Sequence, residues 1–187
     1  QVLRDALREH LYKTNADDIV HYYERDGLYL FKDDTAKEDV QREIVRFYQQ
    51  QNMIDEKLFL SLARLRTHLT ININPDAFLS DIAYKYAIKH RFSYFQHGGE
   101  AVREVEIPSA EMPLFYNLFG SIERDDSLVV DYDDLFSLLK SLFGVPGFPL
   151  NLATVLNKKN GTSMGKYAKH FLFVGFDFDK WYSQLLL

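Results

Sequence analysis

The sequence predicts an α/β layered domain, a mostly parallel sheet flanked by helices, preceded by a helical N-terminal region. Three observations carry this. Apolar residues recur at helical spacing through the first third of the chain. The period then changes to two at Thr67–Ile73. From there strand-like runs alternate with turn residues and helical stripes, the order expected of an α/β layered fold.

Taken in order, Val2, Leu3, Ala6, Leu7 and Leu11 follow the 3–4 spacing of a helix. Ile19, Val20 and Tyr23 resume it after a break at Thr14–Asp18, and Gly27–Asp34 reads as a loop. Thr35 with Glu38 three residues on makes a capping box, opening a helix with the stripe Val40, Ile44, Phe47 and Tyr48. Asp55 starts a further helix with Leu58, Phe59 and Leu62 inward. Thr67, Leu69, Ile71 and Ile73 alternate with polar residues and predict a strand. In Asn74-Pro75-Asp76, Asn74 suits an N-cap, Pro75 a first helical position, and Asp76 the positive helix end. Phe78, Leu79, Ile82, Ala83 and Tyr86 carry that helix.

Arg91–Phe95 and Val102–Ile107 read as a hairpin around His97-Gly98-Gly99. Leu114–Leu118 is a second sheet strand and Leu128–Val130 a short one. A helix with Leu135, Phe136, Leu138, Leu139 and Leu142 follows, and Gly144–Pro149 ends it. After a further helical piece and a loop from Lys158 to Gly165, the apolar run Phe171–Gly175 predicts a strand buried on both faces. Asp177–Leu187 turns into a last helix. Both ends stop without punctuation, so the chain reads as a piece of a longer protein. It divides into a helical region over 1–54 and an α/β portion over 55–187.

Composition narrows the function classes. The 187 residues are 47% hydrophobic and 26% charged, ordinary values for a globular domain with a real core. There are no cysteines, which removes disulfides, thiolate metal sites and cysteine nucleophiles and fits a reducing, cytoplasmic compartment. The net charge of −5 gives no reason to expect nucleic acid or an anionic membrane, and no run approaches the ~20 apolar residues of a bilayer span. Six dispersed histidines (His10, His21, His68, His90, His97 and His170) form no tight ligand spacing, so no metal is expected. Gly161–Tyr167 is one residue too short for a phosphate loop. It also lacks the terminal Ser or Thr that binds magnesium.

The informative constellation is three strand ends: Asn74-Pro75-Asp76, Phe119-Gly120-Ser121 and Gly175-Phe176-Asp177-Phe178-Asp179. An open α/β sheet binds ligands outside the carboxyl ends of its strands, and small or polar residues there let backbone amides approach a ribose or phosphate. The same residues also serve as ordinary strand-to-helix punctuation.

These stretches resemble the sirtuin-like (SIR2-like) family. Thr67–Asp76 resembles its strand followed by Thr-Asn-Tyr-Asp. Leu114-Phe-Tyr-Asn-Leu-Phe-Gly-Ser121 is similar to its hydrophobic strand ending in Leu-His-Gly-Ser, and Leu128–Leu142 to the segment after it. His170–Leu187 resembles its last strand, Gly-Phe-x-Phe-Asp-Asp-Trp and a Leu-rich helix. The likeness runs from about residue 55 to the end. It implies a Rossmann-like fold, NAD as cofactor, cleavage of the nicotinamide glycosidic bond, and a place in multidomain prokaryotic defence proteins. It puts the family asparagine on Asn74, orienting water or ribose, its acid on Asp76, and the close-approach glycine on Gly175. Gly120 and Ser121 complete the expected cofactor contacts.

The departures are as informative. The family histidine, the general base, falls on Phe119, and loss of such a base lowers a rate by about 10²–10⁴. The second Asp of the last motif is Lys180. No Gly-Ala-Gly pyrophosphate loop is present, Gly27 being the only glycine before Gly98; such a loop lies before Gln1 or is absent. The resemblance therefore implies a degenerate domain, a structural or nucleotide-sensing module joined to other domains of a longer chain, with oligomerisation open. An active hydrolase or deacylase using His68 or His97 as base, and a protein-interaction domain without ligand, are the alternatives.

Overall fold

The computed structural model describes residues 2–50, 55–98, 104–144, 147–156, 172–175, 177 and 179–185. Helix α1 (Val2–Thr14) places Leu11, wholly buried, against the rest of the N-terminal region. The residues after it form a hairpin, not the expected helix and loop. β1 (Ile19–Tyr23) pairs antiparallel with β2 (Leu28–Phe31). All five positions of β1 are β-branched, aromatic or histidine, with Ile19 buried and Val20 exposed. Asp26-Gly27 turns the chain, with Gly27 at φ +76° and its amide on Tyr23 O at 2.7 Å.

Helix α2 (Asp34–Gln49) buries the predicted stripe Val40, Ile44, Phe47 and Tyr48. Its cap is Asp33, whose side chain accepts from the Ala36 amide at 2.9 Å, and not the Thr35–Glu38 box. Helix α3 (Glu56–Ala63) is capped by Asp55 as predicted. Phe59 and Leu62 pack inward, whereas Leu58 faces solvent.

The parallel sheet consists of β3 (Leu69–Asn72), β4 (Arg91–Tyr94) and β5 (Leu114–Asn117), in the order β3-β5-β4. Both outer strands run parallel to β5. Arg91–Phe95 is thus not half of a hairpin. Its ends are taken by β5 and its flanks, with Arg91 N on Pro113 O and Phe95 N on Asn117 O, each 2.8 Å. Residues 104–107 carry the alternation of a strand but form none, and Pro108 follows them. Residues 99–103 lie outside the described residues. Successive residues of β5 serve opposite faces. Phe115 packs with Ala63, Leu79 and Ala83 of α3 and α4 (Phe78–Lys85), and Leu114 and Tyr116 pack with Leu135, Leu138 and Leu139 of α5 (Tyr132–Phe143). The central strand is therefore buried on both sides between helices.

Leu128–Val130 is extended but stands in no sheet. Val130 O accepts from Tyr29 N at 2.8 Å, and the Val130 amide is diverted to the Asp134 carboxylate at 3.1 Å, which stops a ladder. α6 (Leu150–Leu156) and α7 (Trp181–Leu185) follow, Leu152 and Tyr182 joining the cluster on the α5 face. The strand expected at Phe171–Gly175 is absent over its described part. Leu172, Phe173 and Val174 are 68%, 46% and 58% exposed, so apolarity there does not signal burial in a sheet. The phosphate-loop-like segment 161–167 lies outside the described residues.

The N-terminal region and the α/β portion share one core. Phe78 of α4 and Leu128 and Val130 pack with Leu11, Val40 and Phe47, and Leu28 of β2 joins the α5-side cluster. Among the described residues no helix is long and apolar enough to cross a membrane.

Candidate functional site

Parallel pairing brings the carboxyl ends of all three strands to one edge, where Asn72, Asn117 and Tyr94 stand in register. Asn117, 2% exposed, ties the edge together. It accepts from Asn72 Nδ2 at 3.2 Å, and its own Nδ2 donates to the Asp76 carbonyl at 2.8 Å. The Asn72 side chain in turn accepts from the Asn74 amide at 3.0 Å. A polar residue inside the apolar strand Leu114–Leu118 was the available signal for Asn117, and Asn72 was legible only as the polar partner of an alternation.

Asn74 and Pro75 do not start α4. The helix begins at Phe78 after Ala77 at the cap position, and one residue earlier Asp76 Oδ1 accepts from the Phe78 amide at 3.1 Å. The sharp Asn72–Asn74 turn consumes the residues that would otherwise have been the cap. Asn74 is left exposed and Asp76 is only 3% exposed. Burial pushes the Asp76 carboxyl up to about 6 from the ordinary 3.8. The Phe78 amide and its own amide oppose the rise, and Asp81 adds to it.

The Phe119-Gly120-Ser121 stretch meets the Asn74-Pro75-Asp76 turn through its following residue, Ile122 N donating to Pro75 O at 2.9 Å. Gly120 has φ +85°, and a Cβ there would lie 2.0 Å from the Ser127 carbonyl oxygen. Only glycine allows the turn 121–127 to fold back this closely. Ser121 and Ser127 are both fully buried: the Ser121 amide donates to Ser127 Oγ at 2.9 Å, and that hydroxyl donates to Arg124 O at 2.6 Å. Phe119 is partly buried and its ring lies 5.8 Å from that of Tyr182. Asn74, Asp76, Gly120 and Ser121 thus lie along one edge. Gly175 is exposed, with nothing within 4 Å of where its Cβ would be.

Beside this edge lies a second polar group that sequence reasoning missed. Lys37 of α2 donates to Asp131 at 2.7 Å and to Asp134 at 2.6 Å, and the His97 side chain, 8% exposed, sits 4.0 Å from Asp134 and 3.4 Å from the Leu128 carbonyl. Burial raises the Asp134 carboxyl against the pull of Lys37. Burial would lower the Lys37 ammonium, but its bonds to the two carboxylates leave it above the ordinary lysine range. Lys37 is separated by 97 positions from Asp134, so no local pattern in the sequence could announce the pair.

The two histidines weighed as replacement bases stand at opposite ends of the sheet. His68 precedes β3, its carbonyl accepting from Leu114 N, whereas His97 follows β4. Chemically, the carboxyl edge is a closed polar lock. Asn117 bridges Asn72 and the Asp76 carbonyl, and the Asp76 carboxyl is buried, while Asn74 stays exposed. Among the described residues, no group of three or more His, Asp or Glu side chains is placed to hold a metal. No family model, curated protein or solved structure matches this chain.

Proposed function

We propose that the chain is a Rossmann-like, sirtuin-like module that serves as a structural part of a larger intracellular protein, with the nucleotide site of the family filled by its own residues. The observation that carries the reading is the closure at Gly120. Where a dinucleotide would need open backbone amides, the Ser127 carbonyl occupies the space above Gly120, and the Ser121 amide is committed to Ser127 Oγ. Phe119, at the position of the family's base, has no proton to exchange and packs on Tyr182. The parallel sheet with helices on both faces supports the fold side of the reading. A second reading, a protein-interaction domain that has lost its ligand, draws on the exposed Leu172, Phe173 and Val174.

The test is NAD binding and nicotinamide release, measured on the protein and on Phe119→His. Neither should release nicotinamide above background, and Phe119→His should leave the thermal midpoint unchanged or lower it, since imidazole replaces a packed phenyl ring. Sustained turnover by either would overturn the structural reading and favour an active hydrolase.

A further inference from the structure

The opposite, amino-terminal edge of the sheet holds a cleft of about 390 Å³. It lies where α3 hands over to β3, the loop after α4 hands over to β4, and the segment before β5 begins. Its volume is within the roughly 300–1,000 Å³ of small-molecule sites. Ile88 and Pro113 give it apolar walls, and Arg64, Arg66 and Lys89 bring three cations to its rim. None of the three is ion-paired to a described residue within 4.0 Å. Glu111 is the one carboxylate in the lining; its own backbone amide and the Ser109 hydroxyl hold it below the ordinary carboxylate range, with a smaller pull from His68 and Arg66.

Charge decides what such a cleft can take. The C-termini of α3 and α4 precede it and bring about half a negative charge each. Together with Glu111 they offset about two of the three cations, leaving a net positive cleft on a chain whose overall charge is −5. The helix ends account for a cation near each, and the chain leaving each helix passes through a left-handed residue, Arg66 after α3 and Ala87 (φ +53°) after α4. Arg66 has φ +51°, a left-handed conformation that glycine adopts freely and arginine does not. A charged residue thus stands where local conformation favours glycine, and its side chain borders the cleft.

We infer that this cleft binds a small organic dianion, a phosphomonoester or a dicarboxylate with a compact apolar body, whose charges meet Arg64, Arg66 and Lys89 while its body lies on Ile88 and Pro113. This site is independent of the carboxyl edge and of whether NAD is bound there.

The experiment is a chemical-shift titration of the isotope-labelled protein with phenyl phosphate, isophthalate and inorganic phosphate, at low and at high salt. Saturable shifts centred on residues 63–66, 88–89 and 110–113 are expected with at least one organic dianion, more tightly than with inorganic phosphate and weakening as salt rises. The arm that saturates identifies the phosphomonoester or the dicarboxylate as the source. Arg66→Gly should lower the affinity about tenfold, the size of one charged contact, while keeping or raising the thermal midpoint because the backbone strain is relieved. Lys89→Gln, in an exposed loop, should weaken binding as well and carries the test should Arg66→Gly fail to fold. The inference is overturned if neither organic dianion saturates or if the shifts map elsewhere. It is equally overturned if inorganic phosphate binds as tightly as the organic dianions (an adventitious ion only), or if affinity survives both substitutions.

Discussion

Replacing Asp76 by Asn isolates the electrostatic consequence of burying a carboxylate at the sheet edge. Asp76 is 3% exposed, and burial moves its carboxyl from 3.8 to about 6. That displacement corresponds to about 3 kcal/mol of penalty on the ionised form in the folded state. The sign follows from proton counts. Between about pH 4 and 6 the folded protein holds a proton on Asp76 that the unfolded chain has released, so stability falls as pH rises through that window, and the full penalty is present above it. Asparagine keeps an Oδ1 to accept from the Phe78 amide and does not ionise, but its new amide donor needs a partner and costs about 1–2 kcal/mol if it finds none. Asp76→Asn should therefore be about 1–2 kcal/mol more stable than the parent at pH 7.5 and about 1–2 kcal/mol less stable near pH 4. The change in the difference, about 3 kcal/mol, is independent of the new donor's cost. Asp134 titrates in both proteins and cancels. Urea unfolding at pH 4, 5, 6 and 7.5, followed by the fluorescence of the single tryptophan, Trp181, measures it. A stability difference that does not change with pH would show that Asp76 ionises as freely folded as unfolded, and the burial argument would fail.

Two further substitutions probe the same edge. Gly120→Ala should destabilise by more than about 3 kcal/mol, since the added methyl meets the Ser127 carbonyl at a positive φ; an unchanged thermal midpoint would refute the close approach. Asn117→Ala should lose about 2–3 kcal/mol in chemical denaturation, because the Asp76 carbonyl and Asn72 Nδ2 are left without their partner; a loss under about 1 kcal/mol would show that the strand ends are held by other contacts.

What was legible in the sequence was whatever a short window of residues decides. The α2 stripe, the Asp55 cap and the strands at Leu69–Asn72 and Leu114–Asn117 are local patterns, and they are in place. The N-terminal hairpin was misread although its signal was local too: Asp26-Gly27 between β-branched and aromatic runs outweighs a coincidental 3–4 spacing of Ile19 and Tyr23. Two other differences depend on partners outside the strand: Arg91–Tyr94 pairs with β5 because Pro113 and Asn117 present the matching carbonyls, and Val130 is kept out of a ladder by Asp134. Leu172–Val174 is apolar yet largely exposed, so its composition misled by itself. The site divides in the same way. The proximity of Asp76, Gly120 and Ser121 could be anticipated from strand ends, whereas the Lys37–Asp131–Asp134 group joins α2 to the start of α5 and has no local signature.

The order β3-β5-β4 has a consequence for the newly made chain. Among the described residues each outer strand hydrogen-bonds laterally only to the middle one, and the middle one is the last of the three to leave the ribosome. Until Asn117 has emerged, β3 and β4 expose unpaired backbone and the apolar side chains of Leu69 and Phe92, while the β1–β2 hairpin can pair locally but its core with α1 and α2 still waits for Phe78, Leu128 and Val130. Pairing of the sheet therefore waits for its middle strand and depends on non-local contacts. During that interval the nascent chain is most open to chaperones and to mispairing with neighbours.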